Sequence, residues 1–137
     1  MKKIILSLVL TLTVIACNTV KNTTSNNETK TQATLENTEW VLAEQVKGKT
    51  PTIIISSDKI NGNAGCNNYF GTVNWNKDGG LFSTKGIAST RMACPNMSTE
   101  DNFLKMLSQA NKYKIKGDNL ELYKDELLLL KLHKVAK

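Results

Sequence analysis

The stretch INGNAGCNNYFGTV, Ile60 to Val73, packs four Asn, three Gly and one Cys between two runs with strand character. Upstream, Thr52-Ile53-Ile54-Ile55-Ser56 is rich in β-branched residues, and downstream Gly71-Thr72-Val73-Asn74-Trp75 reads as a short strand. Gly62 and Gly65 flank two residues, which suits a tight bend with positive φ at one or both. Asn61, Asn63, Asn67 and Asn68 can bond backbone groups that a bend leaves without ladder partners, and Asn tolerates left-handed geometry. Neither a lysine nor a long helix follows Gly62-Asn63-Ala64-Gly65, so the pattern is not that of a phosphate loop. Tyr69 and Phe70 then resume opposite strand faces. The stretch reads as a corner between strands, not as a loop built for catalysis.

The flanking chain supplies more strands. Trp40-Val41-Leu42 opens the first, Lys47-Gly48-Lys49 is a turn, and Asp58 to Asn61 leads into the corner. Asn76-Lys77-Asp78-Gly79-Gly80 is a strong turn signal, after which Leu81-Phe82-Ser83 resumes as strand and Gly86 to Cys94 is extended. Beyond Pro95, Ser98 is placed to cap a helix with Glu100 and Asp101 in its positive first turn. Phe103, Leu104, Leu107 and Ala110 recur there at helical spacing. Two strands, Tyr113 to Lys116 and Leu120 to Tyr123, flank the turn at Gly117-Asp118, and Asp125-Glu126 turns the chain into Leu127 to His133. The leucine run Leu127 to Leu130 is far too short to span a membrane and reads as a central strand buried on both faces. This order predicts an α+β domain, a strongly curved antiparallel β-sheet or partial barrel packed against one α-helix.

The N-terminus is of another kind. Met1-Lys2-Lys3 precedes the apolar run IILSLVLTLTVIA, which reads as an export signal over residues 1–16. Val14-Ile15-Ala16-Cys17 resembles the lipobox of bacterial lipoproteins, which implies acylation of Cys17 and cleavage after Ala16. Two or more acyl chains anchor a protein stably where one does not. Loss of Lys2 and Lys3 lowers the net charge from +6 to +4. Residues 17–38 are nearly all Thr, Asn, Ser and charge, and read as a flexible tether. The folded domain is then expected over 39–137.

Catalytic inventory is thin. Cys66 and Cys94 are the thiols left once Cys17 carries lipid. An even pair in an exported domain most often forms a disulfide, although two buried free thiols also fit. Closing a loop of about 28 residues contributes roughly 3 to 4 kcal/mol in the loop-entropy model. With His133 these cysteines make three ligands where structural zinc wants four, so no metal site and no cofactor is expected. The chain has one histidine, which leaves no triad, and its acids sit in turns that account for them. Its lysines are dispersed and Arg91 is its one arginine, a poor match to nucleic acid. A mild attraction to anionic headgroups or glycans remains sensible.

Three blocks, Ile60 to Gly71, Ala88-Ser89-Thr90-Arg91-Met92-Ala93-Cys94-Pro95, and Phe103-Leu104-Lys105-Met106-Leu107, together resemble the META domain family, which includes HslJ-like heat-inducible proteins. The match runs from about Trp40 to the C-terminus. The resemblance implies a small α+β fold with a strongly bent antiparallel sheet, often exported, with no established activity or cofactor. It also implies loose links to stress response, novobiocin tolerance, secretion and motility. The signature positions carried over are Asn61, Gly62, Asn63, Gly65, Cys66, Asn67, Asn68, Tyr69, Arg91, Met92 and Cys94.

Function is then expected to be non-enzymatic. The first expectation is a protein lipid-anchored in the bacterial envelope, at the outer membrane. It would support envelope integrity or drug tolerance by binding another envelope protein, a lipid or a glycan. The alternative is a module for a small apolar or amphipathic ligand, held in a concavity lined by Trp40, Tyr69, Trp75 and Phe82.

Overall fold

The computed structural model describes residues 33–136. The export signal, Cys17 and the tether up to residue 32 lie outside the described residues. Among the described residues nine elements follow in chain order: β1 (Thr38–Leu42), β2 (Thr52–Ser56), β3 (Lys59–Asn63), β4 (Asn68–Asn76), β5 (Leu81–Ser89), α1 (Met97–Gln109), β6 (Lys112–Lys116), β7 (Asn119–Lys124) and β8 (Leu127–Lys134). Each strand pairs antiparallel with its chain neighbour, and β8 returns to β1 through Trp40–Lys134, Val41–His133 and Leu42–Leu132, so the sheet closes into an eight-stranded barrel. Two-residue connections at β2–β3, β6–β7 and β7–β8 lead only to the adjacent antiparallel position.

The ring is uneven. β4 and β5 share a long ladder, whereas β5 and β6 meet at the single pair Leu81–Lys112. Two backbone bonds reinforce this seam, Phe82 N–H to the Asn111 carbonyl at 3.1 Å and Tyr113 N–H to the Gly80 carbonyl at 2.7 Å. α1 lies between these two strands in the chain and packs against β5 and β8. Its Phe103 and Leu107 enter the core.

Period-two alternation fills the interior: Ile53 and Ile55 from β2, Leu120 and Leu122 from β7, and Leu130 and Leu132 from β8 point inward. Trp40, Tyr69, Tyr113 and Phe103 are the largest fully buried side chains. Each buried aliphatic or aromatic group here contributes about 1.5 to 3 kcal/mol relative to exposure.

Three expectations change. The leucine run is not buried on both faces: Leu130 points inward, but Leu127 and Leu128 are 65% and 45% exposed, because this part of the barrel wall has no outer layer. Ser98 does not cap α1. The helix begins at Met97 with Asn96 at the cap position, and no side chain bonds the free N–H groups there. The ordered chain also begins before Glu39. Leu35 is fully buried in the main core, and the Tyr113 hydroxyl donates to the Ala33 carbonyl at 3.1 Å. A single leucine in a polar run has no periodicity to betray it. Leu35→Ala should therefore lower unfolding stability by about 2 to 4 kcal/mol, read as a shift in denaturation midpoint; an unshifted midpoint would mean Leu35 belongs to a free tether.

Candidate functional site

The corner after β3 is built around one amide. Asn67 is 1% exposed, and every polar atom of its side chain is used. Its Oδ1 accepts the Met92 N–H at 2.7 Å and the Thr90 hydroxyl at 2.8 Å. Its Nδ2 donates to the Met92 carbonyl at 3.1 Å and to Oε1 of Glu100 at 3.2 Å. Its backbone N–H donates to Oε2 of the same carboxylate at 2.7 Å. One residue thus ties the corner to the segment after β5 and to the first turn of α1. Glu100 is 4% exposed and forms no ion pair among the described residues. The donors of Asn67 and the positive end of α1 stand in for the water it has lost.

Asn63 shapes the bend itself. Its Oδ1 accepts the Gly65 N–H at 2.9 Å, and its Nδ2 donates to the Cys66 carbonyl at 3.2 Å and to Oδ1 of Asn68 at 3.0 Å. Gly65 takes φ +117°, and a Cβ there would also press on Thr99 of α1. Gly62 is glycine for another reason: a Cβ would run into the Thr52 carbonyl, which accepts the Tyr69 hydroxyl at 2.9 Å. Burial pushes the Tyr69 phenol far above its usual range, so it stays a donor. Cys66 and Cys94 stand at disulfide distance with Cα atoms 6.1 Å apart, which sets a second link beside the Asn67 bonds.

The signature residues therefore divide. Gly62, Asn63, Gly65, Cys66, Asn67 and Tyr69 face inward or hold backbone, and are absorbed by structure. Asn68 is exposed but spends its Oδ1 on Asn63. Arg91 and Met92 project from the segment that Asn67 holds, Met92 is 57% exposed, and Arg91 has no side-chain partner among the described residues. Asn61 points to the outer wall with no side-chain hydrogen bond among the described residues. Glu100 was hidden from sequence reasoning, since an acid in a first turn already has a local explanation.

The concavity expected behind the aromatics is occupied by the aromatics. Trp40, Tyr69 and Phe82 fill the core, and Trp75 is half-buried with Nε1 donating to the Ser57 carbonyl at 3.1 Å. The roomier recesses are outside. One of about 550 Å³ lies on the outer wall of β3, β4 and β5 around Phe70, which is 61% exposed, between Lys59 and Lys85. Another of about 440 Å³ runs between α1 and the β1–β2 connection, near Val46 and Met106. His133 is exposed on β8, and no three His, Cys, Asp or Glu converge among the described residues as a metal ion requires.

Asn67→Ala would leave Oε1 of Glu100 and the Met92 backbone groups without their partners, and should cost roughly 3 kcal/mol of stability. Arg91→Ala should shift stability by less than about 0.5 kcal/mol. Chemical denaturation of both variants checks the division, and equal losses would make Arg91 part of the corner.

A solved relative of similar fold is a protein from Burkholderia xenovorans determined by NMR: the TM-score is 0.60 at 25% identity, over 75% of this chain and 85% of that one. A second NMR structure gives a TM-score of 0.57 at 23% identity, over 74% of this chain and 95% of the other, and speaks to fold alone. No curated protein matches. The META domain model matches residues 33–135, from just before buried Leu35 to the end of the closing strand. The chain belongs to the META domain family.

Proposed function

We propose that the barrel is a binding module for a small apolar or amphipathic ligand taken on its outer wall at Phe70. The observation that carries this is an aromatic ring 61% exposed in a recess of about 550 Å³, on a wall whose other side is packed solid. What sets Phe70 apart from the other exposed apolar side chains is its recess, where an apolar ring lies beside polar groups able to orient a ligand.

The module is non-enzymatic in this proposal. It works in the bacterial envelope, held at the outer membrane by acyl chains on Cys17, with the polar residues that follow as spacer. Lipobox-like Val14 to Cys17 supports the anchor. Envelope integrity, stress tolerance or drug tolerance would follow from what the recess binds.

Titrating the isotopically labelled full chain with amphipaths of neutral and charged head should move the amide signals of Asn61, Phe70 and Thr72 saturably. Phe70→Ala should weaken binding about tenfold, a loss of ~1.4 kcal/mol. No saturable change with any amphipath would sink the proposal. Separately, Cys17→Ser should move the chain from the membrane fraction to the soluble fraction and abolish fatty-acid mass at that residue; unchanged fractionation would count against the anchor.

A further inference from the structure

We infer that the Phe70 recess selects amphipaths with one anionic head, a phosphate or a carboxylate, and discriminates against neutral ones. This rests on the binding site proposed above and adds the chemical class of its ligand.

Strand register sets the charges. Lys59 pairs with Thr72, and Thr72 with Lys85, so the three form one row across β3, β4 and β5 on the outer wall. The neighbouring row holds Asn61, Phe70 and Ala88. Strands lie about 4.8 Å apart, which puts the Lys59 and Lys85 backbones about 10 Å from each other. Two extended lysine side chains bridge that span and can converge over Thr72. Phe70 then lies one row away, near enough for a chain attached to the bound head to lie on its ring.

Neither lysine is committed elsewhere. Lys85 has no ion pair among the described residues. Lys59 reaches Asp58 at 3.8 Å, with the two side chains 62% and 72% exposed, a contact that salt and ligand readily displace. No acid among the described residues lines the recess. The partly buried Asn61 side chain makes no hydrogen bond among the described residues, leaving its amide donors for an acceptor oxygen.

The backbone is also shaped for this arrangement. The β4–β5 register shifts between Phe70 and Thr72, at the boundary between the aromatic row and the lysine row. Bulges of this kind re-aim side chains and recur beside binding sites. Gly71, between Phe70 and Thr72, pairs with buried Ile60 and faces the inside, where a Cβ would come within 2.7 Å of the Ile87 side chain and within 3.1 Å of the Lys85 carbonyl, so glycine lets β4 and β5 approach at the bulge. Charge and apolar surface coincide on one face.

The test is calorimetric titration of the purified full chain with dodecyl phosphate, dodecanoate, dodecyl maltoside and inorganic phosphate, each below its aggregation threshold. The two anionic amphipaths should bind at least tenfold tighter than the maltoside or free phosphate, and more weakly as salt rises. A preference for dodecyl phosphate points to a phosphorylated lipid, and one for dodecanoate to a free fatty acid. Lys59→Ala with Lys85→Ala should remove the preference for charge with an unchanged melting temperature. Lys85→Gln alone should remove part of it, which keeps the test open if the double variant unfolds. Equal binding of the maltoside would overturn the anionic selectivity and leave the amphipath site standing. Absence of binding by every amphipath would overturn both.

Discussion

A buried amide that must satisfy four side-chain bonds at once fixes this domain. Asn67 can place its side chain only if the segment after β5 and the first turn of α1 are both within about 3 Å. The first of these has no ladder of its own to locate it, since Thr90 to Asn96 carries no strand or helix. The helix in turn packs on β5 and β8 and sends Phe103 and Leu107 into the core. The chain of dependence runs from one Asn to a loop, to a helix, to closure of the core. Glu100 makes the constraint unforgiving, because an unpaired buried carboxylate costs far more than a missing neutral contact.

This division of labour frees the outer wall. Corner residues that look chemically active are spent on holding backbone, so binding capacity has to come from side chains that the scaffold does not use. Phe70, Lys59, Lys85 and Asn61 meet that condition on the wall, and Arg91 and Met92 meet it at the rim. The wall has the advantage of rigidity: ladders on both sides of β4 hold Phe70, whereas Arg91 sits on a segment held by side-chain bonds.

Much of this was readable in the chain. Strand-forming runs punctuated by Gly, Asn and Asp marked nearly every turn, and the apolar spacing of Phe103, Leu107 and Ala110 marked the helix. Closure was not readable, because whether a curved sheet meets itself depends on the accumulated register of eight strands and not on any one of them. The Asn67–Glu100 contact spans 33 positions, and nothing local distinguishes Glu100 from an ordinary first-turn acid. Leu127 and Leu128 misled for a related reason: hydrophobicity reports what can be buried, and only the layer count decides whether anything covers it. The outer recess was missed because Lys59, Phe70 and Lys85 fall in three separate strands and converge only through pairing.

The buried entry of the chain at Ala33 to Leu35 has a mechanical side. Any pull transmitted through the preceding residues acts first on the Tyr113–Ala33 bond and on the seat of Leu35, before it reaches β1. β1 is paired along both edges, with β2 and with β8. A load along β1 would have to shear two ladders together instead of unzipping one bond at a time. The leucine and tyrosine thus act as a strain relief, a small sacrificial joint that can give way while the barrel and its outer wall stay intact.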